Sequence, residues 1–312
     1  MGMSKSMLIA IGGGGVSAIA SLAGQFGVPG AVLVACLAPL PLMAVGLALG
    51  PKAAAVAAAS GILFALAAAG VAAATVYASL QALPAALVVE RALAYGSWAG
   101  NVGARAAGVA LASLAVFVAL LAGAIALIGA AGGGVETAVR GFLDRGLVLT
   151  MSGLPVDARE RFIETAAPMF VGLTGVSWQL LIAVNGVVAQ RLLSRRGRAI
   201  RPTPAWSKLT LPEWFAWPLV GAAAISLVTS GDAQYLARNA AMILATPYFF
   251  LGLTVVHALA RRTAAKGVLL GVFYAVLVVF TLIAGAIVAG LGMIEQWVGL
   301  RERIAAPPAR KE

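Results

Sequence analysis

Four polar side chains sit inside long apolar stretches of this chain and are its best candidates for chemistry: Gln179, Asn185, Asn239 and His257. Gln179 and Asn185 share one stretch, and Asn239 and His257 bound another. An amide inside a membrane helix needs a hydrogen-bonding partner, which is either a neighbouring helix or a bound solute. All four are therefore candidate substrate-binding residues, with helix–helix contact as the competing reading. His257 is the only histidine and lies just before Arg261 and Arg262, where a residue at the membrane interface is expected.

Catalysis finds little support. One His and the single Cys36 assemble no zinc or di-iron site at ordinary ligand spacing. No Ser–His–Asp set is evident, and no GxxxxGK[ST] phosphate loop occurs; the run Gly12–Gly15 lacks the following lysine. The expectation is a protein that is not an enzyme and carries no cofactor or metal. One cysteine also excludes an internal disulfide.

The elements that must position these residues are membrane helices. Hydrophobic residues make up 62% of the chain and charged residues 11%, with mean hydropathy +0.99. A soluble domain has about 25% charged residues, so lipid must be the solvent here. The apolar segments run 7–23, 29–50, 53–75, 79–98, 106–130, 164–190, 213–229, 239–260 and 267–292. Each approaches the ~20 residues that span a bilayer. Segment 79–98 is ambiguous because it holds Gln81, Pro84, Glu90 and Arg91, so the fold class is all-α, a polytopic bundle of eight or nine spans. Pro39 and Pro41 require the second helix to kink or begin late, and Pro247 interrupts segment 239–260. Between 131 and 163, Val135, Val139, Phe142, Leu143, Leu147 and Leu149 alternate with Glu136, Arg140, Asp144 and Arg145 at helical spacing. That pattern predicts an amphipathic helix lying on the membrane surface or capping the bundle, ended by Gly153 and Pro155.

The net charge is +11. Its strongest cluster is Arg191, Arg195, Arg196, Arg198, Arg201 and Lys208, with no acid among them. Such a loop stays in the cytoplasm, as does the second basic loop of Arg261, Arg262 and Lys266. The basic residues are not interleaved with a stacking surface, so no nucleic-acid partner is expected. Membrane lipids are, along with membrane-protein partners. With nine spans and an inside N-terminus both basic loops fall inside and the tail outside; with eight the N-terminus moves outside and the tail stays there. The resulting organisation is a six-helix core over 1–190, a basic cytoplasmic loop over 191–212, further membrane helices over 213–300 and a polar tail over 301–312.

Several blocks carry a family resemblance: APLPLMAVGLALGPKAAAVAAA at 38–59, PAALVVERAL at 84–93, LLIAVNGVVAQRLL around Asn185, LPEWFAWPL at 211–219, PYFFLGLTVVHALARR at 247–262 and GLGMIEQWVGLRER at 290–303. Together the chain resembles the YybS-like bacterial integral membrane proteins, a family of unknown function. That family is distantly similar to the S components of energy-coupling-factor vitamin transporters, which have six helices with both ends in the cytoplasm. The resemblance implies a multi-pass protein of the bacterial inner (cytoplasmic) membrane, with segments 1–190 as an S-component-like core; the three later segments depart from that pattern. Two functions compete: binding or transport of a small solute with help from partner subunits, and a non-catalytic scaffold or assembly factor for envelope proteins. A membrane enzyme acting on lipid is a third reading, disfavoured by the scarcity of acid–base residues.

Overall fold

The computed structural model describes residues 4–24, 30–94, 102–130 and 133–305. The fold is all-α, with no strand among the described residues. Among them, seven helical stretches are long and apolar enough to cross a membrane: Lys5–Ala23, Ala31–Leu49, Pro51–Leu93, Gly103–Gly129, Val156–Arg195, Gly231–Ala260 and Thr281–Val298. Glu213–Val228 and Lys266–Val279 are apolar but shorter.

The 43-residue stretch Pro51–Leu93 is twice the length of one crossing. It comprises α4 (Pro51–Tyr77), a π-helical turn (Ala78–Ala82) and α5 (Leu83–Leu93). Inside α4, Gly70 has φ +81° and ψ −176°, a conformation closed to other residues at ordinary cost. The chain reverses there. A methyl group on Gly61 would collide with the hydroxyl of Tyr77, although sixteen residues of straight helix would hold the two about 24 Å apart. A methyl on Gly46 would likewise meet both Ala54 and Val89, from opposite ends of the stretch. Residues 51–69 and 71–93 are thus two antiparallel passes, so the seven long apolar stretches among the described residues hold eight passes long enough to cross.

The chain divides into two compact units, residues 1–121 with 174–204 and residues 122–173 with 205–312, so the division runs through α6 (Val102–Gly129) and α9 (Phe170–Arg195). In the first unit, α1 (Lys5–Ala23) packs along α4 through small residues. A methyl on Gly14 would strike the Ala57 carbonyl and Ser60, and one on Gly61 would sit 2.8 Å from the Gly14 carbonyl. Gly12 and Gly15 face open space. Half of the glycine run therefore serves close backbone approach, as small residues do in membrane bundles. Helix α2 (Ala31–Cys36) gives way to α3 (Pro39–Leu49), which begins on the first proline, where no N–H is needed. Tyr77 donates to Ser17 Oγ at 2.9 Å, and Ser17 donates to the Ala38 carbonyl at 2.6 Å, so this buried polar chain is fully satisfied.

In the second unit the 131–163 region forms two helices rather than one, α7 (Val135–Thr150) and α8 (Val156–Ala166). Leu143, Ile163 and Ala167 form their shared apolar contact, and Arg159 pairs with Asp144 at 2.9 Å. Asp232, at the start of α11 (Gly231–Ala260), accepts the Val135 N–H at 2.7 Å and so caps α7. Helix α10 (Ala216–Val228) leads into α11, which runs unbroken through Pro247. Phe215 stacks on Tyr248 at a centroid distance of 5.5 Å. Helix α12 (Lys266–Val279) ends at Phe280, where the backbone leaves the helical region, and α13 (Thr281–Val298) follows. α13 touches α11 backbone to backbone: a methyl on Gly252 would strike the Val288 carbonyl, and one on Gly292 the Tyr248 carbonyl.

Candidate functional site

Helix α9 carries two of the four candidate residues, and both are buried. Asn185 donates to the carbonyl of Cys36, at the end of α2, across 2.9 Å, and to its own helix at Leu181 across 2.8 Å. Helix-end carbonyls have no partner in their own ladder, so one amide proton satisfies an orphan created by the break before Pro39. Asn185 Oδ1 has no partner among the described residues. Gln179 is different. It is 0% exposed, and neither its Oε1 nor its Nε2 meets a partner among the described residues. An unpaired buried amide costs about 1–3 kcal/mol, so this side chain is an unfulfilled hydrogen-bonding group.

The neighbour of Gln179 follows from register. Trp178 donates its indole N–H to the Leu80 carbonyl at 2.9 Å. Eight residues further along both helices, the Cβ position of Gly186 lies 3.9 Å from Val88. Both contacts have the same offset in sequence, so the π turn with α5 runs parallel to α9. The same offset sets Gln81 level with Gln179, one residue beyond the Trp178–Leu80 bond. Gln81 Oε1 is also buried without a partner among the described residues. Proline accounts for the local geometry. Pro84 has no N–H to offer the Leu80 carbonyl four residues back; the turn opens into a π-helix over Ala78–Ala82 and the indole takes the freed carbonyl. Single π turns inside α-helices recur at functional sites.

No ionised side chain lies near this level along either helix. Glu90 is nine residues beyond Gln81, and Arg191 twelve beyond Gln179, about 14 Å and 18 Å along their helices. Among the described residues no cluster of three His, Cys, Asp or Glu side chains is placed to hold a metal ion.

The other two candidates lie in the second unit and are engaged. Asn239 accepts the Gly172 N–H at 2.7 Å and donates to the carbonyls of Pro168 at 3.1 Å and Tyr235 at 2.8 Å. With Tyr235, which donates to the Ala167 carbonyl at 2.7 Å, and Arg238, which reaches Pro168 at 3.0 Å, it seals the 3-10 turn that opens α9. His257 Nε2 lies 2.8 Å from the Tyr274 hydroxyl and joins α11 to α12.

The family model described as "Predicted membrane protein (DUF2232)" matches residues 15–295. The chain belongs to this family. The matched span includes Gln81, Gln179, Asn185, Asn239 and His257 and both units of the fold. No curated protein and no solved structure matches this DUF2232 chain. Sequence reading ranks Gln179 among the candidates but leaves Gln81 as a polar residue at the start of an ambiguous segment. The available signal was Pro84, which frees a carbonyl one residue before Gln81.

Proposed function

We propose that this DUF2232 protein binds a small solute among its membrane-spanning helices and moves it with the help of partner subunits, without catalysis of its own. The inner membrane of a bacterium is its proposed site, with the Arg191–Lys208 run in the cytoplasm. The observation that carries the reading is Gln179. Its amide is wholly buried and has no partner among the described residues, whereas buried polar groups in native proteins are overwhelmingly paired. A site that receives a solute has reason to keep such a group. The chain contains no phosphate loop, so energy for transport would come from a partner.

A second reading, a scaffold for envelope proteins, draws on the second unit. There the Gly252–Gly292 crossing is close backbone contact, and Asn239 spends one amide proton on the Pro168 carbonyl and the other on Tyr235 of its own helix. The deciding experiment is purification of the full chain from native membranes, followed by mass spectrometry of what accompanies it. A small molecule at near-equal molar ratio supports solute binding. Stoichiometric envelope proteins with no small molecule support the scaffold.

A further inference from the structure

We infer that Gln81 and Gln179 form one ligand-binding subsite, and that it takes an uncharged group able both to donate and to accept hydrogen bonds, such as a carboxamide, lactam or ureide. This rests on the solute-binding reading above and deepens it. Three independent features converge on the level of these two side chains. The common register of the Leu80–Trp178 and Val88–Gly186 contacts sets the two glutamines at one level on parallel passes. Both present buried polar atoms without partners among the described residues, and Gln179 is 0% exposed. The backbone on the Gln81 side is a π turn whose loose carbonyl is already taken by Trp178, so the turn is fixed and the glutamine amides are left over.

The chemistry of the ligand follows from the chemistry of the pair. Each glutamine offers an acceptor carbonyl and two N–H donors on a planar amide. A planar group with its own donor and acceptor edges pairs with such amides. An anion would use only the donors, and a cation only the acceptors. Either would also be desolvated with no opposite charge near, because the closest ionised residues along these helices are Glu90 and Arg191. Burying an unpaired charge costs far more than burying an amide. The neighbouring polar groups do not compete: the Tyr77–Ser17–Ala38 chain is complete, and Asn185 spends its protons on Cys36 and Leu181.

The test uses the full chain purified from native membranes as wild type, Gln81→Met and Gln179→Met, since methionine keeps the length and removes the hydrogen bonds. Small molecules released from each are identified and quantified by mass spectrometry, and the thermal midpoint of each protein is measured after exhaustive washing. The inference expects an uncharged amide- or ureide-type molecule on the wild type and about tenfold less on either variant, the effect of one lost buried hydrogen bond. It also expects the washed variants to melt at or above the wild-type temperature, because Gln179→Met removes an unpaired buried amide and Gln81→Met an unpaired buried carbonyl oxygen. A retained molecule that is charged, or that both variants hold as well as wild type, overturns this inference and leaves the solute-binding reading standing. Washed variants that melt well below wild type assign the glutamines a structural role and also overturn it. A wild type that retains no small molecule overturns both.

Discussion

Trp178 donates its indole N–H to the main-chain carbonyl of Leu80 across 2.9 Å, and that one bond ties α9 to the π turn. The bond exists because Pro84 cannot serve the same carbonyl. Trp178→Phe keeps a ring beside Phe117, whose centroid lies 6.4 Å away, but leaves the carbonyl unpaired in an apolar interior. A loss of about 1–3 kcal/mol is expected, read as a lower midpoint in thermal unfolding of the detergent-solubilised protein. Pro84→Ala supplies the missing helical N–H, so the same tryptophan substitution should cost less in that background. Equal costs in both backgrounds would show that proline is not the origin of the free carbonyl.

Gly252 and Gly292 meet the partner helix at its carbonyl oxygens, whereas Gly271 and Gly285 have nothing within 4 Å of an added methyl. Glycine to alanine therefore has opposite signs in the two pairs. Gly252→Ala or Gly292→Ala should push α11 and α13 apart at a cost of about 1–3 kcal/mol, as overpacked sites do. Gly271→Ala or Gly285→Ala should be neutral or stabilising by about 0.5–1 kcal/mol through helix propensity. Monodisperse yield by fluorescence size exclusion and the thermal midpoint distinguish these outcomes. Equal behaviour of all four would mean that the helices do not touch at 252 and 292.

Asp232 caps a helix that begins 97 residues earlier in sequence, by accepting the Val135 N–H. Removing an N-cap side chain costs about 0.5–2 kcal/mol, so Asp232→Ala should fray the first turn of α7. Hydrogen exchange over residues 135–139 should speed up, while exchange over 143–147, held by the Leu143–Ile163–Ala167 contact, changes little. Uniform exchange across α7 in the variant would assign the cap no role.

These relationships mark where sequence stops being informative. The spans are legible because a bilayer demands an apolar length, and the late helix start at Pro39 follows from a proline's missing N–H. The amphipathic region shows in its periodicity, although Gly153 and Pro155 divide it into two helices instead of ending one. The reversal at Gly70 is not legible: it lies within an Ala–Gly–Val run in which Gly61 serves a quite different purpose. Asp232 looks like a turn residue, because nothing local points to its partner at Val135. Gln179 is visible as an amide in an apolar run, but its pairing level with Gln81 depends on which passes run parallel, and spacing along one chain does not encode that.

The side of the C-terminal end follows from Arg301. Its guanidinium donates to the carbonyls of Ser207 and Leu209, each at 2.8 Å, and its Nε meets Glu295 Oε1 at 2.6 Å. Glu295 is buried, and its second oxygen takes the Arg301 N–H at 3.0 Å, so the turn after α13 is locked to the 207–209 segment. Trp206, Ser207 and Lys208 are exposed and close the basic run that begins at Arg191. If Lys208, the last cation of that run, is cytoplasmic, residues 301–305 share its face. Counting spans from sequence puts the tail on the opposite face. Gly252 against Val288 and Gly292 against Tyr248 make α13 antiparallel to α11, so Phe280 lies toward the Arg261 end of α11 and Arg301 toward its Asp232 end. The check is a cysteine pair in a Cys36→Ala background: Lys208→Cys and Glu302→Cys, both at exposed positions. A membrane-impermeant thiol reagent should spare both in intact cells and label both in inside-out vesicles. Labelling of Glu302→Cys alone from outside would separate the two ends of the Arg301 contact by the thickness of the bilayer, which bonds of 2.8 Å forbid.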